Sequence, residues 1–138
     1  MKKFILTSLF CLSYLTLLAQ ADSTTFKGYI SNKEYDVFLQ INFYKNNVKV
    51  PGQEIFGEMP GYFGDRKDSR KWLITDAQIE GNTAHLSITN DYGSEDLTAD
   101  LTLEADGSYC LKQLSGSTLK IARNRKWVKM PKKLFFKK

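Results

Sequence analysis

With 138 residues, the chain is long enough for one domain with a single core and too short for two. It carries 20 Lys and Arg against 15 Asp and Glu, for a formal net charge of +5, and two cysteines. One of those cysteines falls in an expected N-terminal leader, which excludes an internal disulfide from the domain that follows.

The leader is residues 1–21. Lys2 and Lys3 precede a largely apolar run over residues 4–18, and Ala19-Gln20-Ala21 supplies the small residues of a signal-peptidase site. The run is shorter than the roughly 20 residues of a spanning helix. A secretory signal peptide cleaved near Ala21 is therefore expected, with the protein exported to the periplasm or beyond. Residues 22–138 then form the single domain. Phe10 before Cys11 argues against lipidation. Cys110, the remaining thiol, is expected as a small buried hydrophobe in a strand.

Residues 25–31 read as a short strand with Gly28 in it. Residues 35–44 give the cleanest pattern in the chain. Tyr35, Val37, Leu39, Ile41 and Phe43 alternate with Asp36, Phe38, Gln40, Asn42 and Tyr44, and a period of two is a strand signal. The second of these faces mixes aromatic and polar side chains, which suits either a ligand cavity or a partly covered outer surface. Val48–Val50 starts a strand that Pro51 interrupts, placing it at an edge or bending it away. Residues 52–59 can resume as a strand through Ile55 and Phe56. The glycine- and proline-marked stretch 60–65 reads as a turn, and with the charged residues 66–71 it makes the longest loop. Tyr62 and Phe63 stand there either as exposed contacts or as a cover over the open end of the core.

From Trp72 onward the strands come regularly: residues 71–79, the Gly81-Asn82 hairpin turn, 83–89, 95–104, 108–114, 118–123, 127–128 and 133–137. Eight or nine strands joined by short turns indicate an all-β antiparallel up-and-down meander. Closure into a small barrel of about eight strands removes exposed edges, and a β-sandwich is the alternative. The pieces Phe26-Lys27-Gly28-Tyr29-Ile30, residues 35–41, Ile79-Glu80-Gly81-Asn82 and Leu134-Phe135-Phe136 resemble those of small secreted proteins of Gram-negative bacteria. In outline the chain resembles lipocalin-type or avidin-type barrels. The lipocalin Gly-x-Trp is absent, since Tyr29 and Ile30 follow Gly28, so the resemblance implies a fold and no ligand.

Charge is laid out unevenly. Residues 107–138 hold ten Lys or Arg and no acidic residue, whereas residues 72–106 hold eight Asp or Glu and no Lys or Arg. Such asymmetry points either to a charged partner or to neutralisation between neighbouring strands. Lys120, Arg123, Arg125, Lys126, Lys129, Lys132 and Lys133, interleaved with Trp127, form a candidate surface for an anionic partner such as an anionic envelope surface. Export argues against nucleic acid as the main partner.

Catalytic chemistry is thinly supported. His85 is the single histidine, with Ser87 on its face and Asp100 available from a neighbouring strand, but no nucleophile-elbow pattern is present. Glu54 and Glu58 would share a face if their segment stayed extended. Asp91, Glu95 and Asp96 cluster at a turn without the spacing of a calcium loop, and one His with one Cys cannot fill a zinc site. The expectation is a non-enzymatic binding protein without catalytic residues, metal or cofactor. It would contact a small ligand or protein through the barrel mouth and the 52–71 loop, with Phe38, Gln40, Tyr44, Tyr62, Phe63 and Trp72 as candidate ligand residues. An electrostatic adaptor or inhibitor, using the basic 107–138 face or the acidic 72–106 face, is the second reading, and a carboxylate-dependent hydrolase the third.

Overall fold

The structure is a computed structural model that describes residues 22–138; the expected signal peptide lies outside them. Alternating apolar residues set the architecture. The main sheet has eight antiparallel strands: β1 (Lys27–Asn32), β2 (Val37–Asn42), β5 (Gly61–Asp65), β6 (Trp72–Glu80), β7 (Thr83–Asn90), β8 (Asp96–Leu103), β9 (Tyr109–Gly116) and β12 (Lys133–Phe136), adjacent in that order. The last strand returns to the first through a bridge between Ser31 and Lys137, so the meander is nearly closed into a barrel. Asn32 Nδ2 adds a bond to the Phe135 carbonyl at that seam, 2.8 Å long. Two short ribbons sit on the barrel: β3 (Val48–Lys49) with β4 (Glu58–Met59), and β10 (Lys120–Arg123) with β11 (Lys126–Lys129).

The inward faces fill the barrel. Val37, Leu39 and Ile41 from β2 meet Ile74, Ile88, Leu101, Leu111, Leu134 and Phe136 from the other strands in one buried cluster. Each such side chain contributes roughly 1.5–3 kcal/mol through burial. At one end Phe26 stacks on Phe43 with ring centroids 5.7 Å apart and meets Tyr109 edge-on. At the other, Leu119, Ile121 and Met130, in and beside the β10–β11 ribbon, join the same cluster and stopper the mouth. Register shifts beside Thr75 in β6 and Leu114 in β9 bend the sheet, as curvature requires.

Two sequence expectations are corrected here. Residues 60–65 do not form a loop: residues 61–65 are strand β5, and both Tyr62 and Phe63 are buried. The glycines that read as punctuation serve packing. A Cβ on Gly61 would fall 2.4 Å from the Gln40 carbonyl oxygen, and one on Gly64 would fall 2.3 Å from the Phe38 ring. Nor do residues 52–59 resume as one strand through Ile55 and Phe56: Glu54–Phe56 is a 3-10 turn with Ile55 91% exposed, and only Glu58–Met59 is extended, as β4.

Candidate functional site

The mouth of the barrel carries a cleft of about 240 Å³. Its floor is apolar: Phe63 from β5, Trp72 from the start of β6 and Ile121 from β10, all buried. Its walls come from three separate connections. The β5–β6 loop supplies Asp68, Arg70 and Lys71, and the β7–β8 turn supplies Tyr92, Ser94 and Glu95. The β10–β11 ribbon supplies Lys120 and Trp127. Tyr92 and Trp127 are large aromatic side chains left 73% and 55% exposed beside this opening.

Hydrogen bonds fix each wall. Trp72 donates its indole N–H to the Lys120 carbonyl at 3.1 Å, tying floor to ribbon. Asn90 shapes the β7–β8 turn, its Oδ1 accepting from the Ser94 backbone N–H at 2.9 Å while its Nδ2 donates to the Ser94 hydroxyl. Asp91 accepts from the Lys71 backbone N–H, joining the loop to the turn. The ribbon is clamped by Arg123, whose Nη1 and Nη2 reach the two oxygens of Asp65 at 2.5 and 2.8 Å. Nη2 also donates to the Tyr35 carbonyl at 2.7 Å.

The charges at the opening are paired, one pair joining the ribbon to the β7–β8 turn and the other within the β5–β6 loop. Lys120 Nζ lies 3.0 Å from Glu95 Oε1 and Arg70 Nη1 lies 2.8 Å from Asp68 Oδ2. Both cations also stand over the Trp127 ring, Arg70 at 5.4 Å and Lys120 at 5.2 Å from its centroid. The Tyr92 hydroxyl and then Asp68 hold the Arg70 guanidinium still further above its ordinary range.

The six expected ligand residues divide. Phe63 and Trp72 line the cleft. Phe38, Gln40 and Tyr62 do not face a cavity inside the barrel, because Val37, Leu39 and Ile41 take the inward side of β2. Phe38 and Tyr62 instead form an outer cluster with Leu73, Val48, Val50 and Met59, roofed by the β3–β4 ribbon. Tyr44 lies at the opposite end of the barrel, its hydroxyl accepting from the Phe26 N–H at 3.0 Å. Of the two readings the sequence allows for the mixed face of residues 35–44, the partly covered outer surface is the one observed. Of the expected 52–71 loop, Phe63, Asp65, Asp68, Arg70 and Lys71 line the cleft, and none of residues 52–62 does. Tyr92, Glu95, Arg70 and Trp127 are lining residues that the sequence did not single out for ligand contact; the one available signal was aromatic residues in turns.

The basic residues divide as well. Lys120 and Arg123, expected among the contacts for an anionic partner, are paired with Glu95 and Asp65. Arg125, Lys126, Lys129, Lys132 and Lys133 are exposed. Neutralisation between strands is partial: Lys112 of β9 stands opposite Asp100 of β8, but Lys133 of β12 stands opposite Lys112.

His85 and Asp100 are cross-strand neighbours, with Nδ1 2.7 Å from Asp100 Oδ1 and Nε2 3.0 Å from Glu80 Oε2. Both ring nitrogens therefore face carboxylates, and neither is presented to Ser87 as a general base would be. Asp100 first, and then Glu80, raise the imidazole above its ordinary 6.5. A raised folded-state value means that the pairing stabilises the fold below the unfolded value and fades as pH climbs through the folded one. A proton-detected titration should place the His85 midpoint above 6.5. The melting-temperature advantage of the wild type over His85→Gln should be fullest below the ordinary 6.5 and should shrink as pH rises above it. Because the group is exposed, that advantage is small; one that grew with pH would contradict the pairing.

The other chemical candidates separate in space. Glu54 sits in the 3-10 turn, its carboxylate accepting from the Gly52 N–H, while Glu58 is in β4; the shared extended face expected for them does not exist. Among the described residues no group of three or more His, Cys, Asp or Glu is placed to hold a metal ion. Cys110 is buried on β9, and burial raises its thiol above the ordinary range. No helix among the described residues is long and apolar enough to cross a membrane. Searches against protein families, curated proteins and solved structures return no match. The cleft's own geometry is accordingly what bears on function.

Proposed function

We propose that the protein is an exported, non-enzymatic binding protein that takes a small ligand in the mouth cleft. The observation that carries this is the pairing of a rigid, buried apolar floor with two exposed aromatic side chains, Tyr92 and Trp127, around one small opening. Apolar lining with a few fixed polar groups is the usual make-up of a ligand site. Exposed aromatics there cost solvation that a bound molecule recovers. The cleft volume is below the roughly 300–1,000 Å³ typical of drug-sized ligands, so the ligand is small or only partly enclosed.

The chain's two tryptophans both line the cleft, so they report on it directly. In an NMR screen of a fragment library, hits should cluster on the Trp127 and Trp72 indole N–H resonances, and Trp127→Ala should abolish most of the shifts on Trp72 while leaving the fold intact. Hits gathering on Phe38 and Tyr62 instead would overturn the assignment of the cleft.

A second reading rests on the exposed residues Arg125, Lys126, Lys129, Lys132 and Lys133. It is the docking of an anionic partner, such as an anionic envelope surface, where each basic residue near the membrane contributes about 1 kcal/mol. Retention on anionic vesicles that weakens steeply with salt would favour it over the cleft.

A further inference from the structure

We propose that the mouth cleft binds a neutral saccharide, a sugar ring laid against Trp127 and Tyr92 with its hydroxyls on the Asp68–Arg70 and Glu95–Lys120 pairs. This rests on the reading of the cleft as a ligand site and names the class of ligand.

Charge comes first. Every carboxylate at the opening has a partner: Asp68 holds Arg70, Glu95 holds Lys120, Asp91 accepts the Lys71 backbone N–H, and Asp65 is bound by Arg123. An anionic ligand would have to pull Arg70 or Lys120 from its carboxylate, or draw Lys71 Nζ from the Ser69 carbonyl, 2.8 Å away, in a wall that also holds Asp68 and Asp91. A cationic one would meet Trp127 with two cations already over its ring. Neither sign of charge is invited.

Depth excludes a long apolar ligand. The cleft ends at Phe63, Trp72 and Ile121, and beneath them the barrel is filled by the core cluster. An acyl chain has no channel to enter.

Shape then favours a sugar. A pyranose is apolar on the C–H faces of its ring and polar around its edge. Tyr92, and the part of Trp127 that Arg70 and Lys120 leave open, offer aromatic surface for such a face. Around them the two ion pairs place a donor beside an acceptor, which suits vicinal hydroxyls that each donate and accept. The polar groups are held by the Asn90 turn and by the Asp91–Lys71 bond, so little ordering is left to be lost on binding.

The test is titration of the purified protein, followed by the Trp127 indole N–H resonance and tryptophan fluorescence. The probes are hexoses, pentoses, N-acetylhexosamines and their linear trisaccharides, beside sodium decanoate, inorganic phosphate and tetramethylammonium. At least one neutral saccharide should bind saturably. Read on the Trp72 indole N–H, which both variants keep, Trp127→Ala and Tyr92→Ala should each weaken it about tenfold or more. Because no net charge is engaged, affinity should change little between about 50 and 500 mM salt. Trp127→Phe, which keeps a ring, should retain part of the binding and guards against a variant that fails to fold. If the saccharides fail while decanoate, phosphate or tetramethylammonium shifts Trp127, the ligand class is wrong and the cleft reading survives. If no probe moves Trp127, both fall.

Discussion

Replacing Arg123 by alanine should lower the unfolding free energy by roughly 3–5 kcal/mol, the usual cost of removing one partner from a buried pair. The Asp65 side chain is only 2% exposed and that of Arg123 21%. Without the guanidinium, the carboxylate keeps one protein donor, the Lys67 backbone N–H at 3.0 Å. Two carbonyls, those of Tyr35 and Ala122, lose a donor at the same time. Arg123→Lys should recover only part of the loss, since an ammonium cannot reproduce the two-pronged contact. Adding Asp65→Asn to Arg123→Ala should also recover part, because the stranded charge is gone. Urea unfolding followed by tryptophan fluorescence measures all three. A cost below about 1 kcal/mol for Arg123→Ala would class the pair with ordinary surface bridges and show that the ribbon is held by its apolar contacts alone.

That clamp also explains why the basic run could not be assigned from composition. Lys120 and Arg123 belong to the same run as Lys126 and Lys129, yet the first two are turned onto carboxylates of β5 and of the β7–β8 turn. Nothing local in the sequence distinguishes them. The barrel was legible because alternation is local: residues 35–44 and 83–89 declare their faces within a few residues. Strand β5 was not, because Gly61 and Gly64 read as breakers. Their reason for being glycine is the Gln40 carbonyl and the Phe38 ring on the neighbouring strand. The cleft was least legible of all. Trp72, Tyr92 and Trp127 come from three connections far apart in the chain, and only barrel closure brings them around one opening. Phe63 and Trp72 stand out in the sequence as aromatic residues in and beside the expected long loop, which is enough to find the floor but not the walls.

Phe63 is where the fold and the proposed site can be separated by experiment. Its ring is 1% exposed, and its neighbours across the strands are Leu39 of β2 and Trp72 of β6. Phe63→Ala should cost roughly 3–5 kcal/mol, as large aromatic deletions from a packed core do. Phe63→Leu, which refills most of the volume, should cost less than about 1.5 kcal/mol. Trp127→Ala removes a larger ring from an exposed position, so its stability change should stay near about 0.5 kcal/mol. The two substitutions thus predict opposite profiles. At the floor, stability falls steeply and ligand contact is altered only through the space opened under the cleft. At the wall, stability barely moves and ligand contact is lost. Urea midpoints for the two variants, set beside their saccharide titrations, decide the matter. If Phe63→Ala cost less than about 1 kcal/mol, the residue would lie in a soft, yielding region rather than a packed core. A cleft whose floor yields in that way could not hold Trp72 and the β10–β11 ribbon at fixed spacing, and the case for a preformed site would go with it.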